Sequence, residues 1–147
     1  MAINLSKSEK DKIKKEVKGA FNTIIEGCET LDMDLAFKVF HNSPDFYMIG
    51  IDCSICDYQT YINNNINYLK ECSSFKLTTF EEKMKLLDKD MVIYSWIYKA
   101  EATFKNGNKD IIEKAGATLL FKKINDEWKV IYYHEAALPT ISITNNS

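Results

Sequence analysis

Near its start, the chain carries apolar residues at the three- and four-residue spacing of an amphipathic helix, with lysines on the opposite side. The apolar positions are Ile13, Val17, Ala20, Phe21, Ile24, Ile25 and Cys28. Ser6 or Ser8 can cap the start of this segment, and Glu9 and Asp11 suit the positive end of a helix. We predict a first helix of about five turns.

Two shorter helical patterns follow. The first begins at Asp32 or Asp34 and stops before Pro44, because proline disfavours helical geometry in the residue that precedes it. The second begins after Asp57, a good N-cap residue, and runs to about Leu69. Between these two helices, residues 45–51 predict a strand and residues 52–56 a polar loop.

The rest of the chain predicts a four-stranded antiparallel meander. The strand-like segments are residues 74–87, 91–105, 110–124 and 128–138. Each break is a short polar run, and Asn106-Gly107 is a strong hairpin signal. Three helices on one side of a single sheet give an α+β fold.

The meander strands are apolar on both faces, although a sheet with one face in water normally alternates. In residues 91–105, Val92, Tyr94, Trp96 and Tyr98 share one parity, while Met91, Ile93 and Ile97 share the other. The helices can cover only one face. We therefore expect the other face to meet a second copy in a homodimer; the alternative is a curved sheet with partly exposed tyrosines.

Length and composition narrow the class of protein. A chain of 147 residues with 46% hydrophobic residues predicts one folded domain, residues 1–141, and a loose polar tail, residues 142–147. The net charge of −2, without a basic face, argues against nucleic acid as a partner. The charged N-terminal segment and the lack of a long apolar run argue against a signal peptide and a membrane span, so a cytoplasmic location is expected. All 19 basic residues are lysines, and lysine lacks the planar guanidinium group that forms bidentate hydrogen bonds with a carboxylate or phosphate.

The order of elements, together with three stretches, resembles the nuclear-transport-factor-2-like superfamily. The stretches are Leu35–Phe40 followed by Asp45–Gly50, then Gly116–Lys123, then Glu127–Ala136. The resemblance is closest to the SnoaL-like branch, which includes the association domain of calmodulin-dependent kinase II and ketosteroid-isomerase-like proteins. It implies a cone formed by three N-terminal helices on a strongly curved, mostly antiparallel sheet. This fold hosts isomerases, cyclases, dehydratases and non-catalytic modules.

The chain departs from the family pattern at three places. Gly116 stands where SnoaL-like sequences often carry an arginine, and Ala136 replaces a serine or threonine after the closing histidine. The first helix offers Phe21 and no tyrosine where ketosteroid isomerases carry an oxyanion-binding tyrosine. These differences argue against steroid-type enolisation.

Three side chains are candidates for acid–base chemistry. His134 shares parity with Val130 and Tyr132 near the end of the last meander strand, and a partly buried imidazole can act as a base. Glu113 shares the parity of the small Ala115, which leaves room for a ligand if that side is concave. Asp52 follows the first strand, near where the family's isomerases keep a catalytic aspartate. Each also has a structural interpretation: a packed histidine, a solvated strand-start carboxylate and a loop residue.

Aromatic residues of the strands could line a pocket for a flat apolar ligand. The candidates are Tyr47, Tyr94, Trp96, Tyr98 and Tyr132. We expect a cavity between the first helix, the third helix and the concave sheet face, with His134 or Glu113 in its wall. A one-residue bulge would exchange the faces of a strand, and if both polar candidates lie outside, the oligomerisation interpretation takes the place of this pocket.

Cys53 and Cys56 have the spacing of half a zinc site, but no second pair of ligands accompanies them. We predict no metal, no cofactor and reduced thiols. The leading functional hypothesis is a dimeric domain that binds a small apolar or aromatic molecule. The alternatives are a cofactor-free isomerase, cyclase or dehydratase, and an oligomerisation module.

Overall fold

The N-terminal helices begin at the capping residues that the sequence offers. In the computed structural model, which describes residues 3–146, α1 spans Lys7–Glu29, α2 spans Met33–Phe37 and α3 spans Tyr58–Lys70. Ser6 caps α1 in a reciprocal pair, since the Glu9 amide donates to Ser6 Oγ at 3.1 Å and the Ser6 amide donates to Glu9 Oε2 at 2.7 Å. Asp32 and Asp57 cap α2 and α3. The three predicted helices are confirmed.

One mixed sheet of seven strands forms within residues 3–146. The strands are β1 Tyr47–Ile49, β2 Ile55–Asp57, β3 Cys72–Asp88, β4 Met91–Phe104, β5 Lys109–Ile124, β6 Glu127–Ala137 and β7 Ile141–Ile143. Their order is β2-β1-β6-β5-β4-β3, with β7 paired to β5. Only the β1–β6 pairing is parallel among the described strand pairs. The α+β prediction with a mostly antiparallel sheet is confirmed.

Two short strands occupy segments that the sequence predicts to be irregular. β2 includes the end of the predicted polar loop and pairs with β1. β7 includes Ser142 and Ile143, which the sequence assigns to the tail of residues 142–147. The start of β5 lies beyond the end of β6, and β7 pairs with this uncovered edge at Lys109–Ile111. Ser147, like Met1 and Ala2, lies outside the described residues.

Two one-residue bulges decide which side chains of β5 and β6 face inward. Between the pairs Tyr98↔Ala115 and Ala100↔Ile112, β5 contains one residue more than β4. Between the pairs Leu120↔Tyr132 and Phe121↔Val130, β6 contains one residue more than β5. A bulge moves every following side chain to the other face. Inward and outward positions therefore change parity within both strands.

The core lies between α1 and the concave face of the sheet. Val17 and Phe21 on α1 and Tyr94 and Phe121 on the sheet are almost completely buried. The Phe21 ring stacks on the Tyr94 ring at a centroid distance of 4.3 Å. Among the helices of residues 3–146, none combines the length and the apolar character that crossing a bilayer requires.

Candidate functional site

A cavity of about 300 Å³ opens between α1, α3 and the concave sheet face. Its wall is mainly apolar and rich in aromatic side chains, namely Phe21, Phe37, Phe40, Tyr61, Tyr68, Phe75, Trp96, Tyr98 and Tyr133. The exposed side chains Ile51 and Tyr68 belong to the same wall and mark its solvent side. The cavity therefore lies where the sequence predicts it.

The carboxyl group of Glu135 is the main polar feature of the inner wall. Glu135 lies on β6 beyond the second bulge, on the same side as Tyr133 and Ala137. The Tyr133 hydroxyl lies near the Glu135 carboxyl and the Tyr98 hydroxyl, close enough for hydrogen-bonding effects on their pKa values. The site thus contains a carboxyl group next to two tyrosine hydroxyls.

Burial controls the electrostatics of this group. It raises the pKa of Glu135 above its usual value, while the Tyr133 hydrogen bond and the charge of His134 act in the opposite direction. Burial also raises the pKa of Tyr61 and Tyr133, with the nearby Glu135 carboxylate adding to the effect. These tyrosines are therefore neutral hydroxyls at physiological pH.

The rings around Glu135 are held rigidly by their neighbours. Trp96 and Tyr98 stack almost parallel, with centroids 3.7 Å apart. The Trp96 Nε1–H donates to Thr79 Oγ1 at 2.8 Å, which fixes the orientation of the indole. Tyr61 lies 5.7 Å from Tyr133, measured between ring centroids. The aromatic side chains of the wall are thus packed against one another.

A second carboxyl group lies in another part of the wall. Asp110 Oδ1 accepts a hydrogen bond from Ser142 Oγ at 2.8 Å, and Asp110 Oδ2 accepts one from the Tyr68 hydroxyl at 3.3 Å. β7 therefore contributes to the site by holding Asp110 in place. No lysine or histidine belongs to the described wall.

The predicted acid–base residues all lie outside the cavity. His134 is exposed on the convex face, because the bulge in β6 turns it away from the side of Val130. Glu113 is exposed within the bulged part of β5 and forms an ion pair with Lys99 at 3.4 Å. The prediction that one of them lies in the cavity wall is wrong in both cases, because a strand bulge turns each residue outward. The pocket predicted around His134 or Glu113 therefore fails, and any binding function of the cavity depends on Glu135 instead.

Asp52 also has a local structural role. Its Oδ1 atom accepts hydrogen bonds from the Ser54 amide at 3.0 Å and the Ser54 hydroxyl at 2.7 Å. These hydrogen bonds lower the pKa of Asp52. Asp52 is exposed in this tight turn and does not belong to the cavity wall.

The predicted aromatic residues separate into three groups. Trp96 and Tyr98 line the cavity. Tyr94 lies deeper in the core, where its hydroxyl donates to Glu82. Tyr47 and Tyr132 contact each other outside, with centroids 5.1 Å apart.

Sequence reasoning missed Glu135, Tyr133 and Tyr61. The available signal was the shared parity of Tyr133, Glu135 and Ala137, which places one carboxyl group among apolar neighbours of the same strand side. Choosing that side over the side of His134 required knowledge of the bulge.

The cysteines have no arrangement that indicates a metal site. No group of three or more metal-ligating side chains occurs in the described part of the chain. Cys28 lies in the cavity wall, and burial raises its pKa to about 12, with a further contribution from Glu29. The Cys28 thiol therefore stays protonated and is a poor nucleophile.

The fold resembles that of many solved proteins. A nuclear transport factor 2-like superfamily protein from Salmonella enterica superposes with a TM-score of 0.76 at 15% identity, covering 88% of this chain and 94% of that chain. A candidate scytalone dehydratase from Novosphingobium aromaticivorans gives a TM-score of 0.82 at 6% identity, over 97% and 95% of the two chains. At these identities the similarity establishes the nuclear-transport-factor-2-like fold alone.

A third solved structure is closer in sequence. It is a candidate calcium/calmodulin dependent protein kinase II association domain from Xanthomonas campestris, with a TM-score of 0.69 and 23% identity over 84% of this chain and 86% of that chain. No curated protein sequence matches the chain. The family model of the calcium/calmodulin dependent protein kinase II association domain matches residues 13–139. Since this match covers most of the 147 residues, the chain belongs to the calcium/calmodulin dependent protein kinase II association domain family.

Proposed function

We propose that this protein binds a small, largely apolar molecule in the cavity and presents Glu135 to a polar group of that molecule. The observation that carries the proposal is a cavity of about 300 Å³ whose largely aromatic wall includes the partly buried carboxyl group of Glu135. An apolar cavity of roughly 150 Å³ is enough to hold benzene. A volume of this size therefore accommodates an aromatic ring with a short chain.

The placement of Glu135 favours binding over a purely packed core. A buried carboxyl group beside apolar rings costs folding free energy, and such groups concentrate at functional sites. The cavity meets the general description of a ligand site, a mostly apolar concavity with a few converging polar groups. Proton transfer is a second candidate, because the Tyr133 hydroxyl contacts the same carboxyl group. Both functions require binding, which is tested first.

The test uses 2-phenylethanol as a neutral probe, titrated by calorimetry and followed by protein NMR. We expect a Kd on the order of 0.1 mM, typical of a small ligand with few contacts. Leu77→Trp, which adds a large ring in the cavity wall, should weaken binding at least tenfold. Leu87→Trp, on the same strand β3 but exposed, should leave binding unchanged. Equal binding by both variants would place the probe elsewhere and contradict the proposal.

We also propose that the chain forms a homodimer through the convex sheet face. Four apolar side chains form a row across neighbouring strands on that face. Ile93 pairs with Leu120, Leu120 pairs with Tyr132, and Tyr132 pairs with Tyr47. All four are at least partly exposed, and membership in an association-domain family supports self-association. A continuous exposed apolar row on a sheet is a typical interaction surface.

A further inference from the structure

The charges in the cavity wall restrict the class of ligand, provided that the proposed binding function holds. The wall contains two carboxyl groups, those of Asp110 and Glu135. None of the lining residues within residues 3–146 is a lysine or histidine, and the whole chain contains no arginine. An anionic ligand would therefore enter an apolar space that offers acidic side chains and no cationic partner.

The two carboxyl groups also have no cationic partner from the protein's own lysines. The ion pairs described within residues 3–146 use Lys18, Lys83, Lys99, Lys123 and Lys129, and none of them includes Asp110 or Glu135. His134, the residue next to Glu135, points to the convex face and is exposed. Within the described residues, neither carboxyl group forms an ion pair with a lysine, and the charge of His134 acts on Glu135 only from the convex side.

The rings in the same wall favour a positive charge for an independent reason. The faces of tryptophan and tyrosine rings carry negative potential and attract ammonium groups, more strongly where water is excluded. Tyr61, Trp96, Tyr98 and Tyr133 all line the cavity. Tyr98, Tyr133 and Glu135 lie in the same wall and act on one another electrostatically, so the rings and the carboxyl group form one cluster.

We propose that the cavity selects a small organic cation, an ammonium group on a body of about one aromatic ring, whose charge pairs with Glu135 among these tyrosine and tryptophan rings. The apolar wall toward Phe21 and Phe37 receives the uncharged body. Binding of the cation stabilises the ionised form of Glu135, which burial disfavours in the free protein. A neutral molecule gains only the apolar contacts and one hydrogen bond.

The experiment compares three probes that share a phenyl ring on a short chain: 2-phenylethylamine, 2-phenylethanol and 3-phenylpropionate. Each is titrated calorimetrically into the full chain at pH 7.5. We expect the amine to bind at least tenfold more tightly than the alcohol, and the carboxylate to bind more weakly than both. In Glu135→Gln the amine should lose this advantage while binding of the alcohol changes less than twofold. Glu113→Gln, an exposed carboxyl on β5, should retain the order of the native protein.

The outcomes separate this inference from the proposed function. Equal affinities for amine and alcohol, or tightest binding of the carboxylate, would overturn the cation preference and leave the cavity as a binding site. An amine advantage that persists in Glu135→Gln would also overturn it, because the charge would then be recognised elsewhere. Failure of all three probes to bind would overturn the proposed function and the cation preference together.

Discussion

At the scale of single residues, Glu135 combines a position in the cavity wall with a cost to folding. Burial raises its pKa, and the hydrogen bond from Tyr133 and the charge of His134 only partly oppose that effect. A carboxyl group whose pKa is higher in the folded state than in the unfolded chain binds protons more strongly when folded. The contribution of Glu135 to folding stability is therefore fully present below the pKa of a glutamate in the unfolded chain, about 4.3. It is lost as the pH rises through the higher pKa of Glu135 in the folded protein.

Because the pKa of Glu135 is raised in the folded state, we predict that Glu135→Gln increases stability at neutral pH. The variant should melt a few degrees higher than the native chain at pH 7, since about 1 kcal/mol corresponds to roughly 2–4 °C in chains of this size. The gain should vanish below about pH 4, where the native carboxyl group is already neutral. Tyr61, Tyr98, Tyr133 and Cys28 face the same group, and burial raises the pKa of each, so they do not titrate in this range.

The measurement is thermal denaturation from pH 3.5 to 8, with Glu113→Gln as the control. Glu113 is exposed and paired with Lys99, so its substitution should not reproduce the pH-dependent gain. A Glu135→Gln variant that is less stable than the native chain at pH 7 would mean that the hydrogen bond to Tyr133 outweighs the cost of burial.

The residue scale also sets the limit of what the sequence could predict about the site. Trp96 and Tyr98 could be predicted as cavity residues because β4 alternates regularly from Met91 to Phe104. Glu135 and His134 are neighbours, and only the extra residue in β6 decides which of them faces inward. Nothing in the local composition distinguishes a bulged strand from a regular one. The choice depends on how β5 and β6 are paired.

At the scale of elements, the helices and hairpins are encoded locally, and the short strands are not. Helix caps and tight turns depend on residues only a few positions apart in the chain. Examples are the Ser6 cap and the Asn125–Asp126 turn, in which both residues have positive φ. β2 and β7 have three residues each and exist through their pairing with β1 and β5. Their formation depends on contacts with distant parts of the chain, which a pattern of apolar positions does not report.

Helix α1 offers an element-scale test of how closely the helices pack. Gly27 and Gly19 are both within α1, but a Cβ atom at Gly27 would lie 2.3 Å from the Ala36 amide nitrogen, whereas one at Gly19 would meet nothing within 4 Å. Gly27→Ala should therefore lower the free energy of unfolding by roughly 1–3 kcal/mol. Gly19→Ala should raise it by about 0.5–1 kcal/mol through helix propensity.

Urea denaturation measures both changes, and an unchanged m value shows that the unfolding transition is comparable. Because the two substitutions share the same gain in helix propensity, their difference isolates the contact between α1 and α2. Equal stabilisation by both variants would show that α2 shifts away from α1 without cost and would contradict the close packing.

At the scale of the whole molecule, the two faces of the sheet differ in what covers them. The concave face is closed by the helices and holds the cavity, whereas the convex face carries the row of Ile93, Leu120, Tyr132 and Tyr47. The bulge in β6 connects the two faces, because it turns Tyr132 and His134 outward when it turns Tyr133 and Glu135 inward. One extra residue thus contributes to both the cavity wall and the proposed interface.

The interface leads to a prediction about mass in solution. Light scattering at micromolar concentration should give twice the chain mass for the native protein. Leu120→Lys, which places a charge in the middle of the row, should give the monomer, because a desolvated lysine without a partner disfavours the interface by several kcal/mol. Phe80→Lys, at an exposed position of the edge strand β3, should remain dimeric. A native protein that is monomeric at these concentrations, or a Leu120→Lys variant that stays dimeric, would exclude this face as the contact.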